Sequence, residues 1–143
     1  MSASTGTRLA FQFTTSETGN AVSLSDVQHL EAGDYITVGV YTTGTESISD
    51  TVPEPQFSIH RLGIASSPAN PINDGAHIYR AASAQTITNN SSNYVTFDTE
   101  VRDDGGYADL GTNNDRLTIT NSGWYSIVGS VAFSANITGI RIA

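Results

Sequence analysis

The chain has 143 residues, a length that suits one domain around one core. Its formal net charge is −8 and its six cations are scattered arginines, so it lacks the basic face that nucleic acid or an anionic membrane surface requires. Cys and Lys are both absent, which excludes disulfides, thiolate metal sites, Schiff-base chemistry and a phosphate-loop lysine.

Residues 1–5 read as an initiator and a short flexible lead, without the charged and apolar pattern of a signal peptide. Leu9, Phe11 and Phe13 then alternate with polar or small residues, and residues 16–20 carry turn chemistry. Residues 25–31 are the one stretch with room for a helical turn. Ile36, Val38 and Val40 alternate with Thr37 and Gly39, and residues 42–50 read as a turn. Phe57 and Ile59 alternate with Ser58 and His60. Residues 66–75, Ser-Ser-Pro-Ala-Asn-Pro-Ile-Asn-Asp-Gly, hold two of the four prolines and form the clearest linker. Beyond it, Val95, Phe97, Thr99 and Val101 share one face, as do Leu117 and Ile119. Turns are expected at 89–93, 103–106 and 113–115. Tyr125, Ile127, Gly129, Val131 and Phe133 form the longest alternating series. Period-two patterning of this kind makes half-buried strands, and many short strands between turns make an all-β sandwich or jelly roll.

Candidate chemistry is sparse. His29, His60 and His77 stand in no metal-binding spacing, and no Gly-x-Ser-x-Gly elbow is present. The stretch from Glu100 to Asp109 is the densest acidic cluster, and Asp103, Asp104 and Asp109 are its candidate calcium ligands because hard carboxylate oxygens at a Gly-rich turn suit that ion. The alternating ligand order of an EF-hand is missing, so a solvated turn that guards a sheet edge is the stronger expectation. Asn90-Ser91-Ser92 and Asn136-Ile137-Thr138 match a glycosylation pattern that arises readily in an Asn- and Ser-rich chain. Tyr41, Tyr94 and Tyr107 are the aromatics nearest to loops, where a carbohydrate-binding surface would need them.

Five strings occur together: Phe97-Asp98-Thr99-Glu100, Asn113-Asn114-Asp115-Arg116-Leu117-Thr118-Ile119, Gly123-Trp124-Tyr125, Ala135-Asn136-Ile137-Thr138-Gly139 and Ala32-Gly33-Asp34-Tyr35. With Ala76-His77-Ile78-Tyr79-Arg80 the first four make residues 76–142 resemble the first half of the complement component 1q-type head domain, in its bacterial and phage form, while the fifth lies in residues 6–65. That domain is a branch of the tumour-necrosis-factor jelly-roll superfamily. Residues 6–65, ending in Phe57-Ser58-Ile59-His60-Arg61-Leu62-Gly63, resemble its second half. The resemblance implies an antiparallel jelly-roll sandwich over residues 1–143, circularly permuted, with 66–75 joining the original last and first strands. Such a linker spans at most about 33–36 Å, ample for neighbouring strand ends. A tandem array cut out of phase and a natural inverted order give the same arrangement; the short linker and an initiator Met beside a hairpin turn favour an engineered permutant.

The series 123–133 is apolar on both faces, with Trp124, Val128 and Ala132 opposite Tyr125, Ile127, Val131 and Phe133. One face enters the core and the other needs a cover. The family forms trimers about a threefold axis. The resemblance therefore implies a non-catalytic homotrimeric module without a cofactor, with Trp124, Val128, Tyr35 and Tyr41 at the trimer interface. It also implies a soluble protein whose parent was extracellular, cell-surface or virion-associated. A lectin-like or receptor-binding head for carbohydrate or protein is the alternative.

Overall fold

The computed structural model describes residues 13–15, 21–42, 45–50, 54–63, 74–88, 90–134 and 140–142. Among these the protein is all-β and its strands pair antiparallel. The strands are β1 (Phe13–Thr15), β2 (Ala21–Leu30), β3 (Tyr35–Thr37), β4 (Gly39–Thr42), β5 (Glu46–Ile48), β6 (Gln56–Leu62) and β7 (Gly75–Tyr79). They continue as β8 (Gln85–Ile87), β9 (Ser92–Tyr94), β10 (Thr99–Asp103), β11 (Arg116–Thr118), β12 (Gly123–Ala132) and β13 (Ile140–Ile142). No helix among the described residues is long and apolar enough to cross a membrane.

The largest sheet has five strands in the order β10-β7-β6-β12-β2. A four-stranded sheet runs β1-β13-β4-β9, and two ribbons pair β11 with β3 and β5 with β8. One hydrophobic cluster draws on all four. The large sheet supplies Phe57, Ile59, Ile78, Tyr125, Ile127 and Val131, and the others supply Val40, Ile48, Ile87 and Leu117, with Val38, Val95, Phe97 and Ile119 beside them. Phe57 stacks on Phe97 with ring centroids 5.8 Å apart.

β12 carries the architecture. It pairs along its full length with β2, from Gly123↔Leu30 to Ala132↔Ala21, and from Trp124↔Leu62 to Ser130↔Gln56 with β6. Its alternation sorts the side chains as the sequence predicts: Tyr125, Ile127 and Val131 are buried, whereas Trp124 and Val128 are exposed. Ala132 differs, being buried at the end where Phe133 bridges to Ile48. β6 in turn pairs with β7 from Gln56↔Tyr79 to His60↔Gly75, so the strands on either side of 66–75 are antiparallel neighbours, as expected.

Several local expectations need correction. Residues 25–31 have room for a helical turn, which the sequence does not itself predict, and 25–30 are strand, because β2 is held in register by β12 over ten residue pairs. The turn expected at 42–50 contains β5, which pairs with β8 and buries Ile48 completely. Val95 and Phe97 are fully buried but precede β10, tied by Val95 N–H to Val38 O at 2.9 Å and Phe97 N–H to Asn114 O at 2.7 Å. The face they were expected to share breaks there, and an irregularity between Glu100 and Arg102 leaves Val101 exposed. The expected linker ends earlier than Gly75, since Gly75 opens β7 and Asp74 is buried. Leu9, Phe11, the lead 1–5, the turn 16–20, the linker residues 66–73 and the 136–138 pattern lie outside the described residues.

Candidate functional site

The outer face of the five-stranded sheet is assembled by register. On β12, Trp124, Ser126, Val128 and Ser130 alternate with the buried set. Opposite them on β6 stand Leu62, His60, Ser58 and Gln56, in that order. On the β2 side the same four face His29, Val27, Ser25 and Ser23. β7 adds Gly75, His77 and Tyr79 opposite His60, Ser58 and Gln56. No Asp or Glu stands at any of these outward positions, in a chain with 14 acidic residues.

The apolar part is concentrated at one end. Trp124 is 55% exposed, Val27 49%, Leu62 46% and Val128 44%. Trp124 lies directly between Leu62 and His29, and its indole meets the His29 ring edge-on at 5.5 Å. His29 Nδ1 lies 3.5 Å from Glu31 Oε1 just past the strand end. The rest of the face carries Ser23, Ser25, Ser58, Ser126 and Ser130 with Gln56, His60, Gly75, His77 and Tyr79.

The two predicted interface residues on β12 therefore stand together on one exposed face. Tyr35 and Tyr41 belong elsewhere in the chain: Tyr35 on β3 in the β3–β11 ribbon, Tyr41 on β4 in the four-stranded sheet. Tyr35 is exposed, with the Arg116 guanidinium 4.6 Å above its ring. Arg116 is held there by Asp115, with Nε 2.8 Å and Nη2 3.2 Å from its carboxylate oxygens. That hydrogen bond is the main reason the Asp115 carboxyl sits below its ordinary range, against the opposing effect of burial. Leu62, Val27 and His29 join the face without having been singled out as interface residues. Strand register is the signal that finds them.

The candidate calcium ligands have separate tasks. Asp103 accepts from the N–H groups of Tyr107 at 2.9 Å and Ala108 at 3.0 Å, closing the turn at 103–108. Asp104 pairs with Arg102. Asp109 accepts from Thr112 N–H at 3.1 Å and Asn113 Nδ2 at 3.2 Å. Among the described residues, no three His, Asp or Glu side chains are grouped to hold a metal ion.

Tyr107 is not an exposed loop aromatic. It is 1% exposed, and its hydroxyl donates to the Asp74 carboxylate. The Tyr125 hydroxyl donates to Asn121 O at 2.5 Å. Both phenolic protons are thus committed, and the 3.3 Å contact between the two hydroxyls has no proton of its own. Burial, then the bond to Asp74 and the neighbouring Tyr125, raise the Tyr107 phenol far above its ordinary value. Asp74 also meets Arg61 Nη1 at 3.3 Å, and Arg61 Nη2 donates to Ser122 O at 2.8 Å. This cluster joins β6, the start of β7, the turn at 103–108 and the entry to β12. Its role is to fix the five-stranded sheet beneath the outer face.

The chain matches no protein-family model, no curated protein and no solved structure.

Proposed function

We propose that this protein is a non-catalytic self-associating module whose outer sheet face packs against further copies of the same chain in a closed trimer. The observation that carries this reading is the acid-free outer face with Trp124, Leu62, Val27 and Val128 exposed together toward one end. A chain of net charge −8 repels its own copies. The outward positions of β2, β6, β7 and β12 carry no carboxylate, so repulsion and the cost of desolvation are low there.

A closed ring suits the pattern better than a two-fold pair. Each contact in a cyclic trimer joins two different patches, so the outer face of one copy meets another surface of the next. Tyr35, exposed on a separate ribbon and stacked beneath Arg116, is a candidate for that second surface. Aromatic and arginine side chains are favoured at interface centres. The sequence resemblance to a trimeric jelly-roll family points the same way. The antiparallel pairings β6–β7 and β13–β1 support the permuted order, because each places together the strand ends that a permutation joins or opens. In this reading the chain is a compact trimeric building block with relocated termini. The test is the mass in solution: a trimer weighs three times the 15.1 kDa chain, and a protein that is monomeric at every accessible concentration refutes the proposal.

A further inference from the structure

Next to the apolar patch, the same face has a depression of about 200 Å³ lined by side chains from four strands. Arg102 comes from β10, His77 from β7, His60 and Ser58 from β6, and Ser126 from β12, with Val128 at the border of the apolar patch. No carboxylate lines it. Gly75 keeps its floor open: a Cβ there would lie 2.4 Å from Ile59 O and 3.4 Å from His60 Nδ1.

Arg102 is only partly satisfied. Its Nε is paired with Asp104, but its Nη2 is buried without a hydrogen-bond partner. A buried guanidinium nitrogen left unpaired is costly. Arg80 also has one orphaned nitrogen, but Arg80 is itself buried and its other nitrogens are held by Thr96 and Ser83. Arg102 differs because its side chain is partly exposed and lines the depression.

We propose that this depression binds a small tetrahedral oxyanion of the phosphate type. The Arg102 guanidinium provides the charged donor group. The two imidazoles and the two serine hydroxyls add donors from other directions, more than the two oxygens of a planar carboxylate can use. One chain supplies every group, so the site is complete without a neighbouring copy, and because Ser126 and Val128 also stand on the face proposed for self-association, a copy seated there would cover it.

The test is thermal unfolding of the full chain in sodium phosphate, in sodium acetate and in sodium chloride at matched ionic strength. Phosphate is expected to raise the Tm of the wild-type protein above the chloride value, because a ligand of the native state stabilises it by mass action. Arg102→Gln should lose that increment beyond the general salting effect of phosphate, and Arg102→Lys should retain part of it. Calorimetric titration should give one phosphate per chain in the wild type, with Kd weakened at least about tenfold in Arg102→Gln, the loss of one charge-assisted bond. His77→Gln provides a second variant should Arg102→Gln fold poorly, and it too should weaken phosphate. Equal phosphate increments in wild type and both variants would overturn the site. An acetate increment as large as that of phosphate would overturn the tetrahedral class.

Discussion

Replacing Val128 with Asp tests the proposed trimer most directly. Val128 faces outward between Ser58 and Ser25, with no cation directly opposite on either strand. Trp124, Val27, Leu62 and Val128 each keep about half of their surface exposed. Complete burial of a large apolar side chain contributes about 1.5–3 kcal/mol, so covering the remaining half of these four contributes roughly 3–6 kcal/mol per chain. A carboxylate at the same position must shed water at a penalty of several kcal/mol per ion, and three copies incur it together. The balance turns against association. The isolated fold changes little, because the side chain is outside the core and strand preference alone spans about 1 kcal/mol. Light scattering after size exclusion should show Val128→Asp as a folded monomer with the wild-type circular dichroism spectrum. A Val128→Asp protein that remains fully trimeric and equally stable refutes the interface. A protein that fails to fold refutes the inside–outside assignment of β12.

The Asp74 cluster and the turns around it and around Asp98 give four further expectations. Tyr107→Phe removes the hydroxyl that satisfies Asp74 in the core, and urea unfolding should show a loss of about 1–3 kcal/mol. Gly105→Ala places a Cβ 2.2 Å from Tyr107 Cε2 and 2.8 Å from Asp74 Oδ1; thermal melts should show overpacking of at least about 1–3 kcal/mol. Gly106→Ala should cost less, about 1–2 kcal/mol, from its positive φ alone, since no atom lies within 4 Å of the added carbon. The Asp98 carboxyl is held below its ordinary range: burial would raise it, but the N–H groups of Ala81 and Ala82, the Thr99 hydroxyl and the Arg80 charge together outweigh burial. The native state therefore gives up that proton at lower pH than the unfolded chain. The stability it contributes is complete above the unfolded value of about 3.9 and is lost as pH falls through the folded value. Urea titrations between about pH 2 and 5 should show a shallower acid dependence in Asp98→Asn than in wild type.

What the sequence revealed and what it concealed follow from the range of each interaction. The two faces of β12 are legible because Trp124 and Val128 alternate with Tyr125, Ile127 and Val131 within one short segment. β2 is less legible. Its core-side positions run Val22, Leu24, Asp26, Gln28, Leu30, and the polar pair breaks the period. Gln28 Nε2 donates to Asp26 at 2.7 Å, which satisfies both side chains at the sheet edge. β5 is hidden because Glu46 and Ser47 read as turn residues, although pairing with β8 makes them strand. The Asp74–Tyr107 bond joins residues 33 apart, and no local pattern announces such a contact. The oxyanion pocket is of the same kind, drawing on β6, β7, β10 and β12, whose proximity exists only in the folded sheet.

The placement of charge separates two ways in which such a sheet could associate. β10 and β2 are the edges of the large sheet, and an unprotected edge invites strand addition without limit. Here the edges are guarded. β10 carries Glu100, Arg102 and Asp103 and an irregularity beside Val101, while β2 has Asp26 on its core-side row and Glu31 at its end. The broad face between them has no carboxylate on its outward positions. Edge-to-edge growth is therefore opposed where it would begin, and face-on contact is left open where the apolar side chains are. A closed ring satisfies both conditions, because it covers the face and leaves no complementary patch to propagate. Putting a carboxylate on the face, as Val128→Asp does, removes that distinction.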